Sequence, residues 1–238
     1  MRGRDLQMRT LAGLLSAALL AVQACPSVST WESDMAAAQQ AVAHRRTDEA
    51  ARLYAAAVAK AERFGNADPR LALSLNQLAQ VYSTQGRYVE AEPLFLRALA
   101  IYQQAHGGQH ADVAATLNNL GVLHRIHGQY AEAEPLLKRS LAIKETIFHA
   151  EHQEVALSLS NLGMLYYMQG HDDKAEPLYR RALAIREKAL PAHHPDLAKS
   201  LKDYAALLQR THREVEAAAL EARASLIQAS QEAVRLRQ

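Results

Sequence analysis

The sequence predicts an all-α protein built as a solenoid of antiparallel helix pairs, and three observations carry that expectation. A motif recurs with a fixed period of 42 residues, marked by Gly86, Gly128 and Gly170 and again by Pro93, Pro135 and Pro177. Before each glycine the apolar and small residues fall on one helical face: in the middle copy these are Val113, Leu117, Leu120, Gly121 and His124. After each glycine the chain carries two apolar stripes, such as Ala133/Leu137/Leu141 and Leu136/Ser140/Ile143/Ile147. A helix with two stripes packs on its own partner and on the next unit. Units of this kind stack because none buries its core alone.

Taken in order, residues 1–24 read as a signal peptide. Arg2, Arg4 and Arg9 form a cationic start, and Leu11 to Val22 is an apolar run of 12 residues. A bilayer core of roughly 30 Å needs more than that, so a permanent membrane span is not expected. Met8 is an alternative start that makes a shorter signal. Val22-Gln-Ala-Cys25 resembles a bacterial lipobox, in which the cysteine is acylated and becomes the mature N-terminus; Gln23 is atypical there. Cys25 is therefore the expected lipid anchor, with plain cleavage and secretion as the alternative. It is the only cysteine, so no intrachain disulfide can form and helix packing must supply the stability.

Residues 25–30 read as a tether and 31–68 as a degenerate first unit. There Glu49, Ala50, Leu53, Tyr54 and Ala57 keep the spacing of Glu90, Ala91, Leu94, Phe95 and Ala98, but Arg45 stands at the turn. Full units follow at 69–110, 111–152 and 153–194. Residues 195–238 form a degenerate unit, with His212 at the turn, ending in a polar helix that caps the stack. In the full units a small residue (Ala79, Gly121, Gly163) faces Ala91, Ala133 or Ala175 and lets the two helices approach closely. The repeated proline is expected in about the first turn of the second helix, where a missing N–H costs little.

The Leu-x-x-Leu-Gly/Ala-x-x-Tyr…Gly-x-Tyr…Ala…Tyr/Phe…Ala spacing resembles the tetratricopeptide repeat. The 42-residue period, with Leu117-Asn-Asn-Leu, Ala133-Glu-Pro-Leu and His194-Pro-Asp-Leu-Ala, resembles the kinesin-light-chain subtype. The resemblance covers roughly residues 31–227. It implies a right-handed α-solenoid that binds peptides or proteins on its concave face, and says little about pathway.

Composition narrows the function. The chain is 49% hydrophobic and 5% aromatic with a formal net charge of +2. Outside residues 1–24 it carries 24 basic and 24 acidic side chains. A neutral chain without a basic stripe offers nothing to track phosphates, so nucleic acid is not an expected partner. No HExxH, GxSxG or phosphate-cradling glycine loop occurs, so no enzyme activity, cofactor or small-molecule substrate is expected. The histidine pairs His106/His110, His149/His152 and His193/His194 fall in the loops between units, where they read as helix-boundary residues ahead of Asp112, Glu154 and Asp196. No metal site is expected from them, since zinc needs three or four converging ligands. His124 stands in the buried slot held by Tyr82 and Tyr166 and reads as a core histidine.

The face opposite the buried stripe carries the candidate binding residues. Gln77, Asn119 and Asn161 stand nine residues before successive turn glycines, Asn76 and Asn118 ten before, and Arg125 and Tyr167 three before. A carboxamide both donates to and accepts from peptide backbone, so a ladder of them suits an extended segment. Val122, Ile126, Met164 and Met168 add apolar neighbours. The expected function is a non-enzymatic scaffold of the bacterial envelope, anchored to the membrane through Cys25 and facing the periplasm, which binds a protein or peptide in this groove. The alternatives are a self-assembling structural protein or an accessory subunit of an envelope complex, periplasmic or secreted if Cys25 is not acylated.

Overall fold

The computed structural model describes residues 30–235; the expected signal segment and the anchor Cys25 lie outside the described residues. Ten α-helices follow one another: α1 (Trp31–Ala43), α2 (Thr47–Ala61), α3 (Pro69–Thr84), α4 (Tyr88–His106), α5 (Ala111–Ile126), α6 (Tyr130–Ile147), α7 (Gln153–Gln169), α8 (Asp172–Ala189), α9 (Pro195–Arg210) and α10 (Glu214–Arg235). A short 3₁₀ turn, Glu62–Phe64, leads out of α2, and no strand occurs among the described residues. Each odd-numbered helix packs on the even-numbered helix after it, and each even-numbered helix also packs on the next odd one. The result is the all-α solenoid of helix pairs that the period predicts, in the right-handed form that the resemblance implies.

The tight turn inside each pair needs a left-handed residue. Gly86, Gly128 and Gly170 take φ of 74°, 77° and 78° there. The end units manage it with Arg45 and His212, both at φ 58°, at a cost of about 1–2 kcal/mol each for the Cβ. Close packing explains the small residues. A Cβ on Gly121 would stand 2.7 Å from Leu137 Cγ, and one on Gly163 3.0 Å from Tyr179 Cε1. Phe95, Leu137 and Tyr179 fill the same place in successive second helices and are almost fully buried. In the last pair this position is Glu221, exposed and bonded to Gln209 Nε2 at 2.7 Å, as an outer face requires.

Between pairs, the loop residue before each first helix caps it. Asp68 accepts from Arg70 N–H, and in the later units His110, His152 and His194 accept through Nδ1 from the N–H of Asp112, Glu154 and Asp196. His124 is buried as expected, its Nδ1 2.7 Å from Gln129 Oε1.

Two details differ from the sequence reading. Pro93, Pro135 and Pro177 sit inside the second helix rather than in its first turn. Helix α4 begins at Tyr88, so residue 93 would normally donate to the carbonyl of Val89, and each proline forfeits one such bond on an exposed face. The chain end also differs: α10 runs unbroken to Arg235, so the second helix of the last unit and the capping helix are one element.

Candidate binding groove

The first helices approach their counterparts in neighbouring units (α3 with α5, α5 with α7, α7 with α9) and form the inner wall of the solenoid. The candidate residues sit on that wall because their offsets from the turn match. Two clefts among the described residues take in candidate residues. One, of about 490 Å³, lies between α1 and α3 and is lined by Gln39, Val42, Tyr54, Gln77, Gln80 and Thr84 among others. The second, of about 410 Å³, lies across α3, α5 and α7 and is lined by Ser83, Asn118, Asn119, Val122, Ile126, Leu157 and Asn161, with Gln80 and Thr84 shared between the two.

The carboxamides form a ladder, but its rungs run between repeats. Asn119 Nδ2 donates to Asn76 Oδ1 at 3.3 Å, and Asn161 Nδ2 donates to Asn118 Oδ1 at 2.8 Å. Asn76 and Asn118 are 9% and 6% exposed. They therefore belong to the packing, whereas the sequence reading set them off the buried stripe. Asn119 and Asn161 remain half-buried at the cleft floor, each with an oxygen free to accept and a second N–H to donate. Each pair joins two units, and Asn118, Asn119 and Asn161 also line the cleft.

One unit on, the ladder changes chemistry. The positions equivalent to Asn118 and Asn161 are Ser160 and Asp203. Ser160 accepts from Arg186 Nη1 at 2.9 Å, and the same buried guanidinium bonds Ser200. Burial raises the pKa of Asp203 and lowers that of Arg186, the nearby charges partly opposing both shifts.

Arg125 and Tyr167 line neither cleft. Arg125 is half-buried with Nη1 3.2 Å from Met168 Sδ, and its Nε is buried without a partner. Burial lowers its pKa, with Tyr179, Tyr130 and Asp203 opposing. The ring of Tyr167 lies under the Arg210 guanidinium, 3.6 Å from Cζ to centroid, and its carbonyl accepts from Arg210 Nη1 at 2.7 Å. Arg210 is held in turn by Asp172. Among the lining residues the sequence reading did not name for the groove are Gln80, Thr84 and Leu157. Gln80 shares the offset of Val122, and Leu157 precedes Asn161 by one turn, so helical spacing alone would have found both.

Comparison with known proteins agrees with this architecture. The tetratricopeptide repeat profile matches residues 30–104 and 70–146, and a second profile of the same description matches 155–196. Among solved structures, BtubC (BKLC) from P. vanneervenii superposes with a TM-score of 0.72 at 25% identity, over 84% of this chain and 80% of that one. A Podosopora anserina protein described as a kinesin light chain with nearly identical TPR-like repeats gives 0.67 at 26% identity, over 84% and 95%. A Rap protein, crystallised with competence and sporulation factor, gives 0.70 at 16% identity over 83% of this chain and 54% of that one, a likeness of fold alone. No curated protein matches. The repeat profiles together cover well over half of the chain, and the protein belongs to the tetratricopeptide repeat family.

Proposed function

We propose that the protein is an envelope scaffold that holds an extended segment of a partner in the cleft across α3, α5 and α7. Tetratricopeptide repeat proteins are in general protein-binding scaffolds rather than catalysts. The observation that carries the finer reading is the character of this cleft. Its floor has exposed apolar groups, with Ile126 47% and Leu157 37% exposed, flanked by the half-buried amides of Asn119 and Asn161, each of which keeps an oxygen and a second N–H beyond its bond to the preceding unit. Apolar pockets beside groups that accept and donate to backbone suit an extended peptide. Changing Val122 and Leu157 together to Glu tests it by pull-down from the native envelope. The partner should be lost from the variant while the helical circular dichroism stays that of the wild type. Undiminished capture by a folded variant would mean that the partner docks elsewhere.

The envelope location rests on the lipobox-like Val22-Gln-Ala-Cys25. Acylation at Cys25 would hold the solenoid at the membrane, since two or more acyl chains give stable attachment. Cys25→Ala should then abolish fatty-acid incorporation and release the protein from the membrane fraction. A wild type that is cleaved, unlabelled and soluble would leave export without an anchor.

A second reading, self-assembly, is favoured by α10, where Val215 and Leu226 are 86% and 72% exposed. Light scattering across a concentration series separates the two: a growing oligomer that Val215→Lys and Leu226→Lys dissolve supports assembly, and a monomer at all concentrations rejects it.

A further inference from the structure

We propose that the joint between α4 and α5 is a transition-metal site, with His106, His110 and Asp112 as ligands for a divalent ion such as zinc. His106 is the last residue of α4, and His110 and Asp112 stand at the start of α5. The short Gly107-Gly108-Gln109 connection folds these two helix ends together. One ligand atom from each of the three residues lies within 4.8 Å of the others, the one such group among the described residues. Asp112 Oδ2 is 3.3 Å from His110 Nδ1 and 3.8 Å from His106 Nε2. Zinc bonds of 2.0–2.1 Å to imidazole and carboxylate require ligand atoms about 3.3 Å apart in a tetrahedron. Of the three separations one already matches and a second needs about half an ångström; the third, between the two imidazoles, lies within 4.8 Å, and the exposed His106 ring has to turn out of its stack on His110 to aim its nitrogen at the ion.

The repeat supplies an internal control for the bland alternative, in which His106 only stacks on the capping histidine. Forty-two residues on, Phe148 occupies the position of His106 and stacks on His152, with centroids 4.5 Å apart and planes at 13°. His106 stacks on His110 at 4.2 Å and 27°. Phenylalanine therefore fulfils the stacking role. In the next joint the position is Leu190. What distinguishes His106 from both is a second ring nitrogen turned to the carboxylate. Two helix ends hold the backbones of all three donors, so only side-chain order has to be created on binding.

The coordination is an open one. Three protein ligands leave a fourth position to water, and the imidazole–carboxylate set suits zinc, nickel or copper rather than magnesium or calcium. The lone pair of His110 Nδ1 that accepts from Asp112 N–H, at a long 3.3 Å, would pass to the metal. An ion here ties the end of one unit to the start of the next and fixes the angle of that joint alone. The other joints, with Phe148 or Leu190 in place of His106, stay free of it.

Titration calorimetry of the full chain with zinc chloride tests this. The wild type should bind one zinc with a dissociation constant on the order of micromolar. His106→Phe, which copies the Phe148 joint, should weaken binding at least thirtyfold, and Asp112→Asn should weaken it comparably. His149→Gln, in the neighbouring joint, should leave it unchanged. Without zinc, His106→Phe should keep the circular dichroism and melting temperature of the wild type, which separates loss of a ligand from loss of fold. Absence of zinc uptake by the wild type, or unchanged affinity in His106→Phe, would overturn the assignment.

Discussion

The two halves of the inner wall are built from the same repeat and do opposite things. From α3 to α7 the wall is open: its carboxamides are neutral, its apolar groups are exposed, and a cleft of about 410 Å³ lies between them. From α7 to α9 most of the wall is filled by its own side chains, leaving only a pocket of about 120 Å³ beside Leu157, Arg186 and Lys199. Arg210 covers Tyr167, Lys202 donates to Gln228, and Arg186 is buried against Ser160 and Ser200. The fold is thus indifferent to what stands on the inner face, and that face is where the copies diverge. A period in the sequence repeats the scaffold without repeating the site.

The largest expected effect sets the two halves directly against each other. Ile126 and Met168 occupy equivalent positions, 47% and 44% exposed, but only Ile126 lines a cleft. Ile126→Glu should weaken partner binding about a hundredfold, or about 2.7 kcal/mol. Met168→Glu should change it less than threefold. Titration of a captured partner against both variants measures the difference, and equal losses would erase the distinction between the halves.

Acid should also tell them apart. Glu176 ties α8 to α9 and α10: it accepts from Arg213, Arg180 and Tyr204. The Arg213 hydrogen bond, with those from Arg180 and Tyr204, lowers its carboxyl to about 2 against the cost of burial. An unfolded glutamate titrates near 4.3. The folded state therefore favours the ionised form, and its contribution is present above about pH 4.3 and lost as the pH falls toward 2. After discount for partial exposure, we expect roughly 1–2 kcal/mol to disappear over that window, from the C-terminal half. Hydrogen exchange at pH 5 and pH 3 should show α8 to α10 losing protection before α3 to α5. Glu176→Gln should remove most of that difference, and uniform loss along the chain would contradict it.

How much of this was legible in the sequence follows the same division. The turn glycines, the small residues against Leu137 and Tyr179, and the burial of His124 follow from period and spacing, since they depend on backbone geometry common to every unit. The prolines were misjudged by about one turn because an exposed helix face tolerates a lost hydrogen bond that no apolar pattern reveals. At the groove, equivalent offsets identified Asn119 and Asn161. They did not reveal that Asn76 and Asn118 would be buried and accept bonds between units, because that depends on how closely consecutive first helices approach. Tyr167 read as available from its offset, yet Arg210, 43 residues away, covers it. The convergence of His106 with His110 and Asp112 was also out of reach, since it is set by how the Gly107-Gly108 connection closes.

The smallest effect concerns the ladder itself. Asp203 stands where Asn119 and Asn161 stand in earlier units, and burial raises its pKa despite nearby Lys199, Arg186 and Arg125. A raised carboxyl pKa means that the charged form is disfavoured in the fold, so this residue costs stability once the pH rises through its folded value. Asp203→Asn removes that cost and should stabilise by up to about 1 kcal/mol at neutral pH, read as a small rise in melting temperature. A fall would mean that the attraction to Arg186 and Arg125 outweighs burial.

The central claim is that a partner lies in the open half of the inner wall. It is tested most directly by photo-crosslinking in cells that express the full chain, with a photoreactive phenylalanine analogue in place of Ile126, Met168 or Val89. The first position lines the cleft, the second is its equivalent on the filled half, and the third is exposed on a second helix. The account predicts a discrete adduct from position 126 and none, or far less, from 168 and 89. An adduct of equal or greater yield from position 89 or 168 would contradict it.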